Sequence, residues 1–339
     1  MALRFGVIGV GIQGESHVKI LQSLPEAEVV AVCDLKGERA REVAGRYGVP
    51  RWYADFREML GREELDAVTV ATPDHLHFEP AMAAIEAGLH LAVEKPLATT
   101  VEEAERIVKA AREKGVTLYV NFSNRFMPQM VLTKKLVERG ELGEPVYAFA
   151  RLNNTLDVPL GMIRAWAERT SLPFWLMSHT IDRVRWLFGQ DVRSVFARAH
   201  EGVLKSKGLN VKDLYVALVE FEGGAVGVFE SLWILPPSRP NIVDSRMDLV
   251  FTEGSVSFDT ISPAPQVAKG GRFEMPYPVQ FDDLQGSPVG MVTESLRHFV
   301  KCLVEGREPM TTGEDGLAAV KVAAAIVESA ERGEPVEVA

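Results

Sequence analysis

The chain has 339 residues, of which 47% are hydrophobic and 25% charged, with a formal net charge of −10 at pH 7. This length exceeds what one ordinary core supports, so two domains of a soluble globular protein are expected. The negative charge argues against nucleic acid or an anionic membrane as the main partner, and no apolar run approaches the roughly 20 residues that span a bilayer.

Two further features bound the cellular setting. The cysteines, Cys33 and Cys302, give no disulfide framework, and Cys33 falls within a predicted buried strand, where an inert thiol is expected. The first predicted strand starts almost at Met1, which leaves no room for a signal peptide. We therefore expect a cytoplasmic protein.

The stretch from residue 3 to residue 34 has the pattern of a dinucleotide-binding unit. An apolar run over residues 3–8 predicts a buried strand, a G-x-G-x-x-G turn follows, and a helix is predicted over residues 17–24. The first glycine permits the tight turn, the second lets a pyrophosphate approach the backbone, and the third lets the helix pack closely on the strand. The helix N-terminus then holds the phosphates. The residues expected to bind cofactor here are Gly9, Gly11, Ile12, Gln13 and Gly14.

A second predicted strand, residues 28–33, ends at Asp34, roughly twenty residues past Gly14. A carboxylate at this position accepts hydrogen bonds from a ribose diol and repels a ribose 2′-phosphate, which favours NAD over NADP. Lys36 and Arg39 lie nearby and would weaken that preference, so NADP stays open as an alternative.

Strands and helices alternate up to residue 121. The pattern predicts helices over residues 36–48, 74–87 (with Asp74 as N-cap) and from Thr99 or Thr100 to 114, a short helix near 56–60, and strands over 51–53, 66–71, 89–93 and 117–120. Such alternation indicates parallel βαβ units, in which ligands bind beyond the carboxyl ends of the strands. Those ends are Gly9, Asp34, Thr72, Glu94 and Asn121.

The pattern changes after Asn121. A helix is predicted over residues 128–139, a helical insert over 161–188, loops over 235–240 and 262–278, closing helices over 293–305 and 314–332, and alternating strands over 146–152, 192–199, 214–221, 225–234, 247–251 and 255–258. The predicted fold is α/β: an N-terminal Rossmann domain with a doubly wound parallel sheet over residues 1–121, then a C-terminal α+β domain with a mainly antiparallel open sheet over residues 122–339.

Glu94-Lys95-Pro96 places a lysine at the carboxyl end of an apolar strand. Partial desolvation, together with the positive charge of an oxidised nicotinamide, lowers the pKa of a lysine toward the range useful for proton transfer. The alternative is a snorkelling lysine paired with Glu94.

A second constellation is Ser178-His179-Thr180-Ile181-Asp182. At helical spacing His179 and Asp182 share a face, so the histidine can bind or protonate a substrate oxygen while the aspartate orients it. The alternative is a satisfied core histidine. His75 and His77 have the spacing of a ligand pair but lack a further clustered ligand, so no metal is expected.

Taken together, these motifs resemble the Gfo/Idh/MocA family of oxidoreductases, which includes glucose–fructose oxidoreductase and inositol dehydrogenase. The resemblance implies a Rossmann domain, a substrate-binding α/β domain whose open sheet forms dimers or tetramers, and oxidation or reduction of a sugar or cyclitol. It also implies that Lys95 transfers the proton and holds substrate, and that His179 contacts substrate. The motifs that carry it are the glycine turn, Thr72-Pro73 with His77, Glu94-Lys95-Pro96, Arg125 and His179-x-x-Asp182. By the same resemblance the cofactor is lined by Thr72, Pro73, His77 and Glu94, and we expect Lys95 and Asn121, at the same sheet edge, to contact it as well.

The chain departs from the family at one position. Sugar dehydrogenases of the family usually carry an aspartate four residues before the histidine, where this chain has Trp175. One helical turn would place Trp175 beside His179, which then lacks a carboxylate favouring its charged form. We hypothesise that Lys95 carries proton transfer largely alone and that Trp175 offers an apolar face. Arg164 and Trp166 are further candidates for substrate contact, with surface or packing roles as the alternative.

The leading hypothesis is an NAD(P)-dependent dehydrogenase or reductase that transfers hydride between nicotinamide and a carbinol carbon of a sugar, cyclitol or sugar derivative. Some relatives instead hydrolyse glycosides with an NAD that is recycled within each turnover. A third alternative is a sensor that binds NAD and sugar without catalysis. A net change in nicotinamide absorbance is expected only for the first.

Overall fold

The structure is a computed structural model and describes residues 2–259, 267–269, 272–274 and 282–338. The chain divides into two compact units, one formed by Met1–Phe126 with Val279–Leu317 and the other by Met127–Pro278 with Ala318–Ala339. The domain boundary expected after Asn121 stays a prediction, and the packing adds that the segment 279–317 belongs with the first unit. Among the described residues, no helix has the length and hydropathy needed to span a membrane.

The regular elements are numbered along the chain. The strands are β1 (Leu3–Ile8), β2 (Ala27–Cys33), β3 (Arg51–Tyr53), β4 (Ala67–Val70), β5 (His90–Glu94), β6 (Leu118–Asn121), β7 (Pro145–Asn154), β8 (Val192–His200), β9 (Leu214–Phe221), β10 (Val226–Leu232), β11 (Val243–Phe251), β12 (Ser255–Asp259), β13 (Val267–Lys269), β14 (Arg272–Glu274), β15 (Asp282–Leu284), β16 (Ser287–Val289) and β17 (Val336–Glu337). The α-helices are α1 (Ile12–Gln22), α2 (Gly37–Tyr47), α3 (Phe56–Arg62), α4 (Phe78–Glu86), α5 (Val101–Lys114), α6 (Pro128–Glu138), α7 (Ser178–Phe188), α8 (Val203–Ser206), α9 (Met291–Glu305) and α10 (Gly313–Arg332).

The first unit is built on a parallel sheet. Within the described residues it has six strands in the order β3-β2-β1-β4-β5-β6, and each neighbouring pair is parallel. The order reverses between β1 and β4, which creates a crevice at the carboxyl ends of the strands. The predicted Rossmann sheet is confirmed. Its strands read as continuous apolar runs because helices cover both faces.

Most helix predictions in this unit are confirmed, with two corrections. Thr100 caps α5, accepting a hydrogen bond from the Glu103 N–H at 3.2 Å. Helix α1, however, begins at Ile12 instead of His17, so it includes the last glycine of the turn. The prediction that Asp74 caps an α-helix is wrong: its carboxylate accepts from the N–H of His75, opening a 3₁₀ turn before α4 begins at Phe78.

Helix α9 packs against the parallel sheet of the same unit. The Phe299 ring lies 5.2 Å from Tyr119 of β6 and 6.3 Å from Phe5 of β1, measured between ring centroids. The Ser295 and Tyr119 hydroxyls lie 2.5 Å apart. Apolar and polar contacts therefore both fix this helix beside β6.

The second unit is built on a mixed sheet. Within the described residues its strand order is β12-β11-β7-β10-β9-β8-β17, and every neighbouring pair is antiparallel except β7 with β10. The predicted mainly antiparallel sheet is confirmed. The two-residue strand β17 was not predicted, because so short a segment shows no alternation.

The predicted helical insert over residues 161–188 is regular only at its end, in α7. It is preceded by π-helical turns at Val158–Met162 and Pro173–Met177 and a 3₁₀ turn at Ala167–Arg169. A proline lies in the first two positions of each π turn, where its missing N–H is tolerated. Within the loop predicted over residues 262–278, β13 and β14 pair as an antiparallel hairpin, and the rest lies outside the described residues.

Candidate active site

The glycine bend between β1 and α1 leaves no room for side chains at two of its three glycines. Gly9 has a φ of +82°, and a Cβ on it would lie 2.8 Å from backbone atoms of Ala71 and Thr72. A Cβ on Gly14 would lie 1.7 Å from the Gly9 carbonyl oxygen. Gly14 therefore permits close packing of the helix against the bend itself, where we predicted packing against the strand.

Gly11 differs from both. A Cβ built on it meets no described atom within 4 Å, so open space lies in front of the backbone that begins α1. The first N–H groups of a helix have no intrahelical acceptor, and those of Ile12 and Gln13 are at this end. Open space beside such donors suits a pyrophosphate.

The carboxylate of Asp34 is fixed by backbone donors. Its Oδ2 accepts from the Val10 N–H at 3.0 Å and its Oδ1 from the Lys36 N–H at 2.9 Å, which ties the end of β2 to the glycine bend. Arg39 donates from Nε to the Val10 carbonyl at 2.9 Å and pairs with Glu15 and, at 3.1 Å, with Glu42. The guanidinium of Arg39 thus already forms ion pairs with two carboxylates.

The loop after β4 presents an unsatisfied hydroxyl. Thr72 Oγ1 is buried and has no hydrogen-bond partner among the residues that the structure describes. Pro73 follows and precedes the 3₁₀ turn that starts at Asp74. His77 is 1% exposed, with Nδ1 2.7 Å from the Pro96 carbonyl and Nε2 3.0 Å from the Thr72 carbonyl. It therefore joins the loops after β4 and β5, and its burial lowers its pKa although Asp74 and both carbonyls oppose this.

A buried hydrogen-bond chain fixes Glu94. His17 Nε2 lies 3.1 Å from Glu94 Oε1, Asn121 Nδ2 donates to the same oxygen at 2.6 Å, and Ser295 Oγ donates to Asn121 Oδ1 at 2.5 Å. Burial works against ionisation of Glu94, but the hydrogen bonds from His17 and Asn121 and the charge of Lys95 outweigh it, so the pKa is lowered.

Lys95 follows directly and is partly buried. Burial lowers the pKa of its ammonium below the ordinary 10.5, while the charges of Glu94 and Asp74 oppose the shift. The lysine is therefore partly desolvated, and its ammonium form is favoured by the charges of two carboxylates.

Sequence reasoning missed two members of this cluster. His17 and Ser295 contact Glu94 and Asn121 from 77 and 174 positions away in the chain, a separation that no local pattern reveals. A histidine on the buried face of α1 was the available signal.

Arg125, one of the residues that carry the family resemblance, is buried. It pairs with Asp315 at 2.9 Å and donates to the Met310 carbonyl at 2.7 Å.

The second unit holds the remaining predicted residues. His179 lies in the first turn of α7, and its carbonyl accepts from Arg183 Nε at 3.1 Å. Asp182 is fully buried. Arg164 donates from Nη2 to the Gly208 carbonyl at 2.8 Å.

Trp166 and Trp175 form an edge-to-face pair, with ring centroids 5.1 Å apart and an interplanar angle of 72°. Both tryptophans were predicted as candidates for substrate contact, and the structure brings them together. Trp175 lies in a π turn, so the α-helical spacing from which its position beside His179 was predicted does not hold along the whole segment.

The carboxyl edge of the parallel sheet fits a dinucleotide. Open space in front of Gly11, a helix N-terminus, a carboxylate after β2 and the unsatisfied Thr72 hydroxyl all lie at this edge. Metal binding lacks such support, since no group of three or more His, Cys, Asp or Glu within the described parts of the chain could hold a metal ion. Fold and site together define a dinucleotide-binding protein of the Rossmann class.

The chain belongs to the Gfo/Idh/MocA oxidoreductase family. Residues 3–122 match the family described as "Oxidoreductase family, NAD-binding Rossmann fold", and residues 134–338 match its "C-terminal alpha/beta domain". The resemblance drawn from the sequence motifs is confirmed, and the protein is an NAD-binding oxidoreductase.

Similar proteins cover the whole chain. A scyllo-inositol 2-dehydrogenase (NAD(+)) of Bacillus subtilis is 29% identical over 99% of this chain and 96% of its own length. A myo-inositol 2-dehydrogenase of Thermotoga maritima is 27% identical over 97% and 96%. The crystal structure of a scyllo-inositol dehydrogenase from Lactobacillus casei with NAD(H) and scyllo-inositol shares the fold, with a TM-score of 0.82, 19% identity, and coverage of 100% and 99%.

Proposed function

We propose that this oxidoreductase transfers hydride between NAD and a hydroxyl-bearing carbon of a cyclitol or sugar derivative, with Lys95 taking or returning the hydroxyl proton. The observation that carries this proposal is the position of Lys95, desolvated at the same sheet edge as the glycine bend and Asp34. Two similar proteins named as inositol 2-dehydrogenases support the substrate class.

The residues of the sheet edge would hold the dinucleotide in a fixed orientation. The N–H groups at the start of α1 suit the pyrophosphate, and Asp34 has lone pairs left for a ribose diol. Ile12 and Leu35 are apolar yet 68% and 80% exposed, and the adenine would cover them. The Thr72 hydroxyl would gain the partner it lacks. When bound, the nicotinamide accepts or supplies the hydride.

Lys95 would act as the proton-transfer group. Because burial lowers its pKa, more of the neutral amine is present near neutral pH than for an exposed lysine. The neutral amine takes the proton of a substrate hydroxyl during oxidation, and the ammonium returns it during reduction. Glu94 and Asp74 stabilise the ammonium form.

In the second unit, His179 is proposed to contact a substrate oxygen, as the family resemblance implies. The edge-to-face pair of Trp166 and Trp175 supplies an apolar surface suited to the carbon face of a sugar or cyclitol. Arg164 and Asp182 are weaker candidates for substrate contact, because Arg164 already donates to a carbonyl and Asp182 is fully buried.

The open face of the mixed sheet is proposed to bind a second copy of the chain. Successive rows across β11, β7, β10 and β9 bring apolar side chains together on this face, and Val216, Leu218, Val226 and Val250 are 38–52% exposed. Arg151 and Arg246 lie on it with Glu230 and Asp248. An apolar patch with charges of both signs suits the self-complementary contact of a two-fold dimer, from which a tetramer can be built.

A substrate screen tests the catalytic proposal. Purified protein is incubated with myo-inositol, scyllo-inositol, aldoses and sugar acids, each with NAD and with NADP, while nicotinamide absorbance is followed. We expect NAD reduction with at least one polyol, a loss of about 100-fold or more in Lys95→Met, and unchanged NAD binding in that variant. The matched control Lys109→Met, at an exposed lysine of α5, should keep full activity.

Two outcomes would contradict the proposal. Nearly full turnover in Lys95→Met would remove the lysine from the mechanism, and the absence of any response to polyols would overturn the substrate class.

A further inference from the structure

His17 is an unusual member of α1. It is fully buried on the helix that starts at the glycine bend, and its Nε2 lies 3.1 Å from Glu94 Oε1. Its Nδ1 is also buried and has no hydrogen-bond partner among the described residues. Because a carboxylate can only accept, Nε2 carries a proton and donates it to Glu94 Oε1.

The hydrogen bond joins the helix of the glycine bend to the segment that carries Lys95. Glu94 Oε1 accepts hydrogen bonds from His17 Nε2 and, at 2.6 Å, from Asn121 Nδ2. Ser295 of α9 in turn donates to Asn121 Oδ1. Lys95 is the next residue after Glu94, so fixing this carboxylate fixes the backbone from which the lysine projects.

We propose that His17 is a positioning residue for the reaction, which acts through Glu94 to hold Lys95 in place relative to the start of α1. This inference rests on the proposed role of Lys95. It goes beyond that role because it assigns a function to a fully buried side chain that contacts Glu94, the residue before Lys95.

A packing role alone does not account for these contacts. If packing were the only role, an apolar side chain of similar size would fill the same space and avoid the cost of burying the unpaired Nδ1 of His17. What an apolar side chain could not provide is the hydrogen bond to the carboxylate of Glu94. Two charged groups among the described residues raise the pKa of Lys95, Glu94 on β5 and Asp74 on the turn after β4. Loosening Glu94 therefore weakens the effect of one of these two carboxylates on the ammonium form.

Two amide substitutions separate positioning from packing. Glutamine can place its amide N–H where Nε2 lies, whereas asparagine is too short to reach Glu94. The variants are His17→Gln and His17→Asn, with Val18→Ala as a packing control because Val18 is equally buried on the same helix. Each is assayed with NAD and the polyol found in the screen, and its thermal unfolding is measured.

We expect kcat of His17→Asn to fall about 10- to 100-fold, as for a small misplacement of a reacting group, with little change in KM for NAD. His17→Gln should recover kcat to within about threefold, and Val18→Ala should lower Tm without this loss. Equal kcat in the Asn and Gln variants, or a loss in Val18→Ala as large as in His17→Asn, would overturn the inference.

A second readout needs no cofactor. Competitive acetylation of the nucleotide-free protein, followed by mass spectrometry, gives the reactivity of Lys95 against pH. With Glu94 loosened in His17→Asn, the ammonium loses support, so the curve should move to lower pH by about half a unit or more. The curve of His17→Gln should stay in place, and an unmoved curve in His17→Asn would contradict the proposal.

A double variant separates this inference from the proposed function. If His17 acts through Lys95, adding His17→Asn to Lys95→Met should cost little further activity. Full additivity would overturn the inference alone, because Lys95 would still be required. Nearly full turnover in Lys95→Met would instead overturn the proposed function.

Discussion

The parallel sheet and the mixed sheet of this chain are covered differently. Every residue of β4 in the first sheet is buried, whereas β9 in the second alternates, with Tyr215 buried and Val216 and Leu218 exposed. A sheet buried on both faces is accessible to a ligand only at its ends, and the predicted cofactor residues lie at its carboxyl edge. A sheet with one open face offers a broad surface instead. The first unit therefore suits cofactor binding at the sheet edge, and the second suits the self-association proposed for its open face.

The largest effect should come from the glycine bend of the first unit. Gly14→Ala forces a Cβ into the Gly9 carbonyl and should destabilise the fold by about 3 kcal/mol or more. Gly11→Ala enters open space and should leave Tm nearly unchanged while weakening NAD binding about 10-fold. Thermal unfolding and NAD titration check both, and equal stability of the two variants would show that the bend is more tolerant than its geometry indicates.

A charge on the open face of the mixed sheet should disrupt the proposed self-association and leave cofactor binding unchanged. Leu218→Glu places a carboxylate in the apolar patch and should shift the protein to monomer in light scattering, with NAD affinity unchanged. Leu132→Glu is the matched control, since Leu132 is a similarly exposed leucine, at 59%, on α6 and not on a strand of the sheet. If both variants keep the oligomer, or both lose it, the face is not the contact.

The choice of nucleotide should depend on the carboxylate after β2. Asp34→Ser removes the charge that repels a 2′-phosphate and the acceptor of the ribose diol, so the ratio of kcat/KM for NAD to that for NADP should fall about 10-fold or more. Glu38→Ser removes an exposed charge at the start of α2 and should leave the ratio unchanged. An unaltered ratio in Asp34→Ser would place nucleotide selection elsewhere.

A smaller effect is expected on pH dependence. If neutral Lys95 is the base in the oxidation direction, kcat/KM rises with pH and levels off above the lysine pKa, which lies below 10.5. Glu94 raises that pKa, so Glu94→Gln should move the rise to lower pH. A rise that moves to higher pH, or stays in place, would mean that Glu94 does not act on the titrating group.

The contrast between the units also shows what the sequence could predict. The bend, Asp34 and Lys95 follow from local patterns, because glycine spacing and the ends of apolar runs mark strand ends directly. The hydrogen bond from His17 to Glu94 spans 77 positions, and no local pattern encodes it. The Pro96 carbonyl, which lies 2.7 Å from His77 Nδ1 and 19 positions further along the chain, was hidden for the same reason.

In the second unit, the strand predicted over residues 214–221 is confirmed by β9, but its exposed face was not predictable because both faces of this strand carry apolar residues. The turns before α7 were missed because π-helical winding departs from the 3.6-residue period on which helix prediction depends. The position of the side chains proposed to contact substrate was therefore hardest to predict in the irregular winding next to His179.

The most direct test of the account is a crystal structure with NAD and the polyol identified by the screen. We predict that Lys95 Nζ lies within hydrogen-bond reach, about 2.6–3.2 Å, of the hydroxyl on the carbon that faces the nicotinamide. An amine of Lys95 turned into bulk solvent, or held in an ion pair remote from the ring, would contradict it.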